Sequence, residues 1–278
     1  MLANLCDVLP KAQKEHYAVG LFNTIDTDML EAVISAAEDL NAPVIIGTAE
    51  VLLPYGELKL LAPSVISAAA RAKVPVVVHY DHGLTFPRCM EALKLGFTSV
   101  MFDGSAQDTA ANLAETANVV RIAHAMGASV EGEIGHVGQA AAGDGELTDM
   151  YTTPAEAVSF VEATGVDALA VAIGTAHGVY KTKPRLDIGR LKDIRSALDT
   201  PLVLHGGSGL SDDDFRSTIA SGIAKVNIFT DLCVAGTNAM TEAINAGKGY
   251  LDIRTARVEA IRNAVKNKIE LFGSVNKG

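Results

Sequence analysis

Several features that would point to whole classes of protein are missing from this sequence of 278 residues. The only cysteines are Cys6, Cys89 and Cys233, and since no C-x-x-C pair occurs, neither a disulfide framework nor a thiolate zinc site is predicted. We expect each to be a buried, unreactive thiol. No apolar run approaches the roughly 20 residues that cross a membrane, and the N-terminal stretch lacks the basic-then-apolar pattern of a signal peptide. We therefore expect a cytoplasmic protein that does not bind a membrane.

An excess of positive charge is also missing. The formal net charge is -10 at pH 7, whereas binding to nucleic acid requires clustered Lys and Arg. This balance argues against nucleic acid as a partner. It is compatible with a small phosphorylated substrate, because glycine-rich loops and helix N-termini bind phosphate without a net positive protein.

No linker, low-complexity tract or block of charge divides the chain. Hydrophobic residues make up 49% of the sequence and charged residues 20%, which is typical of a globular protein with a large core. We therefore expect a single domain over residues 1–278. One α/β barrel, at about 250 residues, has a similar length.

An apolar run followed by a helix-like stretch recurs eight times. The runs are YAVGLF (17–22), PVIIG (43–47), VPVVVHY (74–80), TSVMF (98–102), ASVEGEI (128–134), DALAVAI (167–173), PLVLH (201–205) and AKVNIF (224–229). Strands alternating with helices at this spacing indicate parallel β-α units, and eight units predict an α/β fold of the (β/α)8 or TIM barrel type. The alternative is a doubly wound open sheet, which would more often show a G-x-G-x-x-G turn after its first strand; that turn is absent.

Polar residues follow nearly every predicted strand, at the end where the active site of such a barrel lies. In chain order they are Asn23, Thr48, Asp81, His82, Asp103, Glu131, Glu133, His136, His177, His205, Asn227 and Thr230. Three histidines from separate strands suit a zinc ion and leave one position open for substrate or water. We choose His82, His177 and His205, because each adjoins a glycine that lets substrate approach the backbone closely. The competing interpretation is that each is a hydrogen-bonded core histidine.

Three carboxylates lie beside these histidines. Asp81 directly precedes His82, where it could exchange a proton with a substrate hydroxyl or instead orient a histidine ligand. Asp103 and Glu133 could hold a second cation, or they could form salt bridges in the mouth of the barrel.

The loops after the last two predicted strands, HGGSGLSDDDF (205–215) and VNIFTD (226–231), occupy positions that commonly bind phosphate in barrels. Ser211 is the predicted N-cap of the helix that follows the first loop. A glycine-rich loop alone is typical of a tight turn. Next to a cluster of metal-binding residues, it favours a phosphate site.

At these residues the sequence resembles the class II, zinc-dependent ketose-bisphosphate aldolases, particularly the branch of tagatose- and fructose-bisphosphate aldolases. The resemblance extends over nearly the whole chain. Its firmest motifs are YDHG (80–83), MFDGS (101–105), VEGEIG (130–135), DALAVAIGTAHGVY (167–180), PLVLHGGSGL (201–210) and KVNIFTDL (225–232).

The resemblance implies a role for each matching residue. Asp81 would be the acid–base residue, and the ligands of a catalytic Zn²⁺ would be His82, His177 and His205. Asp103 and Glu133 would belong to a second or alternative divalent site. The cradle for dihydroxyacetone phosphate would comprise Gly178, Gly206, Gly207, Ser208, Asn227, Ile228, Phe229 and Thr230. The resemblance also implies Na⁺ or K⁺ near the phosphate and a homodimer or homotetramer.

The implied reaction is the reversible cleavage of fructose or tagatose 1,6-bisphosphate to dihydroxyacetone phosphate and glyceraldehyde 3-phosphate. Cleavage leaves an enediolate, which zinc would stabilise as a Lewis acid. Asp81 would take the C4 hydroxyl proton, and Asn227 would hydrogen-bond the enediolate.

Two stretches depart from the family pattern. After GEIG, relatives have a Gly-Gly pair and a loop glutamate that protonates the enediolate, whereas this chain has HVGQAAAGDGELTD (136–149), in which Asp144 or Glu146 could substitute. The arginine that reads the distal phosphate lies near a DPR motif in relatives, and here only Arg254, with a shift, could serve. The distal end of the substrate is therefore expected to differ from a standard bisphosphate. An aldolase for another ketose phosphate, a sugar-phosphate-binding subunit without catalysis and a zinc-free isomerase stay open as alternatives.

Overall fold

The computed structural model of this chain describes residues 1–135, 137–139, 151–178 and 184–278, and it describes residues 138, 139 and 177 by their backbone alone. Within these ranges the chain forms a barrel of parallel strands surrounded by helices.

The barrel has eight strands, one from each predicted apolar run. They are β2 (Val19–Asn23), β3 (Val44–Ala49), β4 (Val76–Gly83), β5 (Ser99–Phe102), β6 (Ser129–Ile134), β8 (Ala168–Val171), β10 (Leu202–Leu204) and β11 (Ile223–Ile228). Apolar, β-branched runs form such strands because both faces of a parallel sheet are covered. Pairing of β4 with β5 closes the sheet. The predicted TIM barrel is confirmed, and the alternative of an open, doubly wound sheet is wrong.

The described residues also form three two-residue strands outside the closed barrel: β1 (Leu2–Ala3), β7 (Gly138–Gln139) and β9 (Ala176–His177). The helices are α1 (Leu5–Lys14), α2 (Thr27–Asp39), α3 (Leu58–Arg71), α4 (Phe86–Lys94), α5 (Thr109–Ala125), α6 (Pro154–Thr164), α7 (Ile188–Ala197), α8 (Asp212–Ala220), α9 (Thr230–Asn245) and α10 (Tyr250–Leu271), with a 3₁₀ turn at Glu50–Leu52. The predicted cap is present, because Ser211 caps α8; Thr153 likewise caps α6. In the described part of the chain, no helix has the length and apolar character needed to cross a membrane.

The inside of the barrel changes from apolar to polar along the strands. Leu21, Ile45 and Val77 are paired neighbours in β2, β3 and β4, and they pack with side chains of α1, which closes the barrel at the amino ends of its strands. Side chains alternate between the two faces of a strand. The next inward positions on β2 and β4 are therefore Asn23 and His79, and the polar layer begins there.

The cysteines differ from the expectation of three buried thiols. Cys89 is buried, Cys233 is half-buried and Cys6 is exposed, so the expectation is wrong for Cys6. The thiol of Cys6 donates a hydrogen bond to Oδ1 of Asp167 at 3.3 Å. Partial burial and the Asp167 carboxylate raise the pKa of Cys6 to about 12, which keeps the thiol protonated.

Candidate active site

The carboxyl ends of the barrel strands surround a cavity of about 390 Å³. Twelve predicted site residues line it, namely Asp81, His82, Asp103, Glu133, Gly178, Gly206, Gly207, Ser208, Asn227, Ile228, Phe229 and Thr230. His205 lies fully buried against His82. The backbone of His177 belongs to β9, and its side chain lies outside the described residues.

Asp81 and His82 face the same cavity although they are consecutive residues of β4. In a regular strand, neighbouring side chains point to opposite faces. Here the pairing of β4 with β5 shifts register between Tyr80 and Gly83, and His82 has a φ of 45°, in the left-handed region. This conformation is costly for a non-glycine residue and often marks a functional site. The irregularity places two functional groups at one strand end.

The two described histidines of the predicted zinc site point toward each other. Nε2 of His82 lies 2.7 Å from Nδ1 of His205. The opposite nitrogen of each ring faces a carboxylate, with His82 Nδ1 2.7 Å from Asp103 Oδ2 and His205 Nε2 2.8 Å from Glu131 Oε1. An ionised carboxylate only accepts hydrogen bonds, so each ring hydrogen lies on the nitrogen facing it.

This arrangement has the donor chemistry of a metal site. Metal-binding histidines usually donate their other N–H to a carboxylate, which orients the ring and strengthens the ligand. The facing nitrogens of His82 and His205 then both present lone pairs, which repel unless a proton or a metal ion lies between them. In the protein without a metal ion, burial lowers the pKa of His82, but the carboxylates of Asp81, Asp103 and Glu133 outweigh it and raise the pKa to about 9. The residues present therefore fit a zinc ion.

The segment carrying the third predicted ligand lies beside His205. Gly206 has a φ of 65°, and a Cβ placed on it would lie 2.5 Å from the carbonyl oxygen of Ala176. Only glycine allows this close approach. The backbone of His177 is thus held next to the loop that follows β10.

Both oxygens of the Asp81 carboxylate accept hydrogen bonds from side-chain amides. Asn23 Nδ2 donates to Oδ2 at 2.8 Å, and Asn227 Nδ2 donates to Oδ1 at 3.0 Å. Burial raises the pKa of Asp81, but the charges of His82, Lys225 and His205 outweigh it and hold the pKa well below its usual range. Asp81 is therefore an ionised, oriented carboxylate in the cavity wall.

Lys225 is a site residue that the sequence analysis missed. Its side chain is fully buried inside the barrel, where Nζ lies 2.8 Å from Glu131 Oε2 and donates to Asn227 Oδ1 at 2.8 Å. Burial raises the pKa of Glu131, but Lys225 and His205 outweigh it and lower the pKa to about 2. Lys225 thus contacts both Glu131, which orients His205, and Asn227, which orients Asp81. A lysine within the apolar run AKVNIF was the signal that could have identified it.

Asp103 and Glu133 lie together near His82, and the three could hold a metal ion. Asp103 accepts from the backbone N–H of Ser105 at 3.1 Å, besides its contact with His82. Burial and the Asp103 carboxylate raise the pKa of Glu133 to about 8. A second negative charge beside Asp103 is thus unfavourable without a cation, and a bound cation would favour the ionised form of Glu133.

The glycine-rich loop after β10 lies against the start of α9. The backbone N–H of Phe229 donates to Ser208 Oγ at 3.2 Å, and α9 begins at Thr230. The first turn of a helix has N–H groups without partners in the helix, and the helix dipole is positive there. Backbone N–H groups of this kind can bind an anion without a lysine or arginine.

Arg254, the candidate for reading a distal phosphate, is engaged away from the described cavity. Arg254 pairs with Asp28 at 2.9 Å and with Glu31, and it does not line the cavity. His136, Asp144 and Glu146 lie outside the described residues.

Replacing Lys225 with methionine is expected to destabilise the fold strongly. The variant keeps the length of the side chain but leaves the Glu131 carboxylate buried without its cation. Breaking a buried ion pair by removing one partner typically costs about 3–5 kcal/mol. Urea unfolding followed by circular dichroism measures this loss.

The control is Lys268→Met, which removes a partly exposed pair with Asp231 at 2.7 Å and should cost about 1 kcal/mol or less. Adding Glu131→Gln to Lys225→Met should recover part of the loss, because no buried charge then remains unpaired. Equal effects of the two lysine substitutions would show that the buried pair has no special importance.

This chain is similar in sequence to proteins named as fructose-bisphosphate aldolases. The family described as "Fructose-bisphosphate aldolase class-II" matches residues 3–277. A fructose-bisphosphate aldolase of Thermus caldophilus is 40% identical over 307 aligned residues, covering 100% of both chains. The YdjI protein of Escherichia coli K12 is 40% identical over 278 residues, covering 100% of this chain and 99% of its own.

Two solved structures of proteins named as aldolases are similar to this chain over almost its whole length. The crystal structure of the YdjI aldolase from Escherichia coli K12 has a TM-score of 0.91 at 38% identity and covers 100% of this chain and 99% of its own. A putative fructose-1,6-biphosphate aldolase from Coccidioides immitis has a TM-score of 0.87 at 29% identity, with 97% and 96% covered. Barrel, site geometry and sequence similarity together place this chain in the class II fructose-bisphosphate aldolase family, a family of aldehyde-lyases.

Proposed function

We propose that the protein is a metal-dependent aldolase that reversibly cleaves a ketose phosphorylated at C1 into dihydroxyacetone phosphate and an aldehyde. The observation that carries the proposal is the pair His82 and His205, whose facing nitrogens lie 2.7 Å apart while their other nitrogens face carboxylates. Asp81, ionised and held by two amides, lines the same cavity.

In this proposal His82, His177 and His205 hold a zinc ion. When bound, the ion supplies a Lewis acid that polarises substrate oxygens and stabilises the charge left by C–C cleavage. Asp103 and Glu133, with His82, would hold a second or alternative divalent ion. Because Glu131 and Asp103 accept the outer N–H groups of the two imidazole rings, the facing nitrogens of His82 and His205 are held at one point, where a proton or the metal ion would lie between them.

Asp81 moves the proton in the cleavage step. Its carboxylate takes the proton of the C4 hydroxyl as the C3–C4 bond breaks, and it returns that proton in the condensation direction. The amides of Asn23 and Asn227 keep the carboxylate at a fixed position and orientation, which general base catalysis requires. Asn227 would also hydrogen-bond the enediolate.

The C1 phosphate would bind the anion site formed by the loop of Gly206, Gly207 and Ser208 and by the start of α9. Backbone N–H groups there would supply the hydrogen bonds. This anion site lies on the same cavity as Asp81 and His82. A phosphate bound there would orient the substrate with its carbonyl end toward the metal.

Gly207→Ala is expected to weaken the phosphate site. A Cβ at this position would lie 2.9 Å from the carbonyl oxygen of Asn227 and 2.9 Å from Cγ1 of Val226, so the loop would have to move. We expect the KM for the ketose phosphate to rise about tenfold or more, which corresponds to about 1.4 kcal/mol of binding. Steady-state kinetics measure it.

Gly249→Ala is the matched control, because a Cβ there meets nothing within 4 Å and the φ of -80° suits any residue. A KM that is unchanged in Gly207→Ala would remove this loop from the phosphate site.

Two classes of ketose have separate support, namely a 1,6-bisphosphate and a different ketose phosphate. Relatives named fructose-bisphosphate aldolase favour fructose 1,6-bisphosphate, and tagatose 1,6-bisphosphate differs from it at one stereocentre. The apolar side chains that line part of the cavity favour a different ketose phosphate.

The first test is the release of dihydroxyacetone phosphate from fructose and tagatose bisphosphates, with a chelator and after zinc is restored. A companion measurement follows the exchange of the C3 hydrogen of dihydroxyacetone phosphate with D₂O by NMR, which needs no aldehyde. Chelator-sensitive exchange supports the aldolase. Exchange that the chelator leaves intact, without cleavage of either bisphosphate, would indicate a zinc-free isomerase, and binding without exchange would indicate an accessory subunit.

We also propose that the protein forms a homodimer or homotetramer. Apolar side chains of α9 and α10 are exposed and free to join a second copy, namely Val234, Ile244, Tyr250 and Leu251. Sedimentation equilibrium at micromolar concentration measures the mass, and a monomer would contradict the proposal.

A further inference from the structure

One side of the cavity mouth is apolar. Ala49, Val51, Leu52 and Leu84 line the cavity there, and we call them the apolar rim. Val51 is 62% exposed and Leu84 is 45% exposed. Large apolar side chains left open to water at the entrance of a site commonly contact an apolar part of the ligand.

A single carboxylate holds the two parts of the rim together. Glu50, beside Val51 and Leu52 in the chain, accepts hydrogen bonds through Oε2 from the backbone N–H of Leu84 at 2.8 Å and from the hydroxyl of Tyr80 at 3.1 Å. The loop after β3 is thereby fastened to the end of β4. The rim is therefore formed before the substrate binds, so its contacts require little ordering.

The charges around the cavity do not suit a second phosphate. Among the described residues that line it, the ionisable ones are Asp81, His82, Asp103 and Glu133, and none is lysine or arginine. The cations in the first turns of the helices after the two rim segments are already engaged, since Lys59 and Arg88 both pair with Glu91. A phosphate dianion at the rim would lose hydration without gaining a counterion from these described residues, which is costly.

The two ends of the cavity therefore differ in what they can bind. The glycine-rich loop and the start of α9 offer N–H groups to one phosphate. The rim, which lies at the carboxyl ends of β3 and β4, offers methyl and methylene groups. Arg254, the one residue of the sequence suggested for a distal phosphate, is engaged by Asp28 and Glu31.

We propose that the aldehyde half of the substrate carries no phosphate and rests its carbon chain on the apolar rim. The substrate class is then a ketose 1-phosphate with an unphosphorylated distal end. This inference rests on the proposed aldolase function. In the condensation direction, C3 of dihydroxyacetone phosphate loses a proton and bonds to the carbonyl carbon of the aldehyde, whose oxygen gains a proton, so no oxidant or reductant is needed.

The experiment measures condensation by the zinc-loaded enzyme with saturating dihydroxyacetone phosphate and a series of aldehydes. We expect kcat/KM for D-glyceraldehyde to exceed that for D-glyceraldehyde 3-phosphate by about tenfold or more. From propanal to butanal to pentanal, each added methylene that the rim covers should raise kcat/KM by up to about fourfold. A preference for glyceraldehyde 3-phosphate would overturn the inference, whichever part of the protein supplied a cation for its phosphate.

The D₂O exchange of dihydroxyacetone phosphate separates this inference from the function on which it rests. Exchange together with a preference for the phosphorylated aldehyde overturns the inference and leaves the aldolase function intact. Absence of exchange overturns both.

Substitutions in the rim test where the selectivity arises. Leu84→Ser should lower the ratio of kcat/KM for pentanal to that for propanal by about threefold or more, and Val51→Arg should raise the relative rate with glyceraldehyde 3-phosphate by about tenfold. Each ratio is taken within one enzyme, so effects on the dihydroxyacetone phosphate half cancel. Leu60→Ser is the control, because Leu60 is 78% exposed on α3 and does not line the cavity. Equal shifts in Leu84→Ser and Leu60→Ser, or unchanged ratios in both rim variants, would remove the rim from substrate selection.

Discussion

His205→Ala is expected to lose bound zinc and aldolase activity together while the barrel stays folded. The substitution removes one of two nitrogens that converge on one point and leaves the Glu131 carboxylate without the N–H that it accepts. A metal ion that acts as a Lewis acid supplies several kcal/mol of transition-state stabilisation, so turnover should fall by about 10³-fold or more. Zinc content by atomic absorption and dihydroxyacetone phosphate release measure the two losses.

Two further variants test whether the effect belongs to the metal site. Glu131→Gln keeps His205 but weakens its orientation, and it should lower zinc affinity by about 10–100-fold. His124→Ala is the control, because His124 lies on the barrel exterior against Asp167 at 2.8 Å, and it should keep zinc and turnover. Full zinc content and turnover in His205→Ala would refute the ligand assignment. His177→Ala should behave like His205→Ala, and this tests a ligand predicted from sequence alone.

Asp81→Asn is expected to keep zinc and to lower cleavage by about 10²–10⁴-fold, the usual contribution of a general acid–base group. Asparagine has nearly the same shape but cannot take the C4 hydroxyl proton, and it offers one acceptor oxygen to the two amides that face it. The C4 hydroxyl takes no part in the D₂O exchange of dihydroxyacetone phosphate. Exchange should therefore fall by much less than cleavage, and NMR on the same enzyme sample measures both rates.

The difference between the two rates is the decisive readout. If Asp81 only orients the metal site, exchange and cleavage should fall together. A loss of cleavage below tenfold would remove Asp81 from the mechanism. Asp199→Asn is a control with the same chemistry at a fully exposed carboxylate, and it should leave both rates unchanged.

The sequence by itself determined the barrel and the end of the barrel at which the candidate site lies. Each strand is a local apolar run without polar alternation, and the run is readable because both faces of a parallel strand are buried. The polar residue at each strand exit is equally local, which is why Asp81, His82 and His205 could be named before any contact was known. The family resemblance, now confirmed over residues 3–277, added their expected roles.

Partners across the barrel depended on the tertiary structure. Asn227 donates to Asp81 across a separation of 146 residues, and only closure of the barrel brings them together. Lys225 lies in an apolar run that predicts a buried strand, and nothing local indicates that Glu131 balances its charge. The left-handed backbone conformation of His82 occurs at a register shift between β4 and β5, which the pattern of apolar and polar residues along the sequence does not encode.

The chemistry of the cavity mouth was likewise decided by the fold. Val51 and Leu84 are ordinary apolar residues in the sequence, and they form one rim because Glu50 binds the loop that contains Leu84. Arg254 was a candidate for the distal phosphate until the packing of α10 against α2 paired it with Asp28 and Glu31. Strand periodicity is set by neighbours in the chain, and it therefore reveals the fold. The selectivity of the site arises from side chains that meet only after the strands have closed, so it becomes visible only in three dimensions.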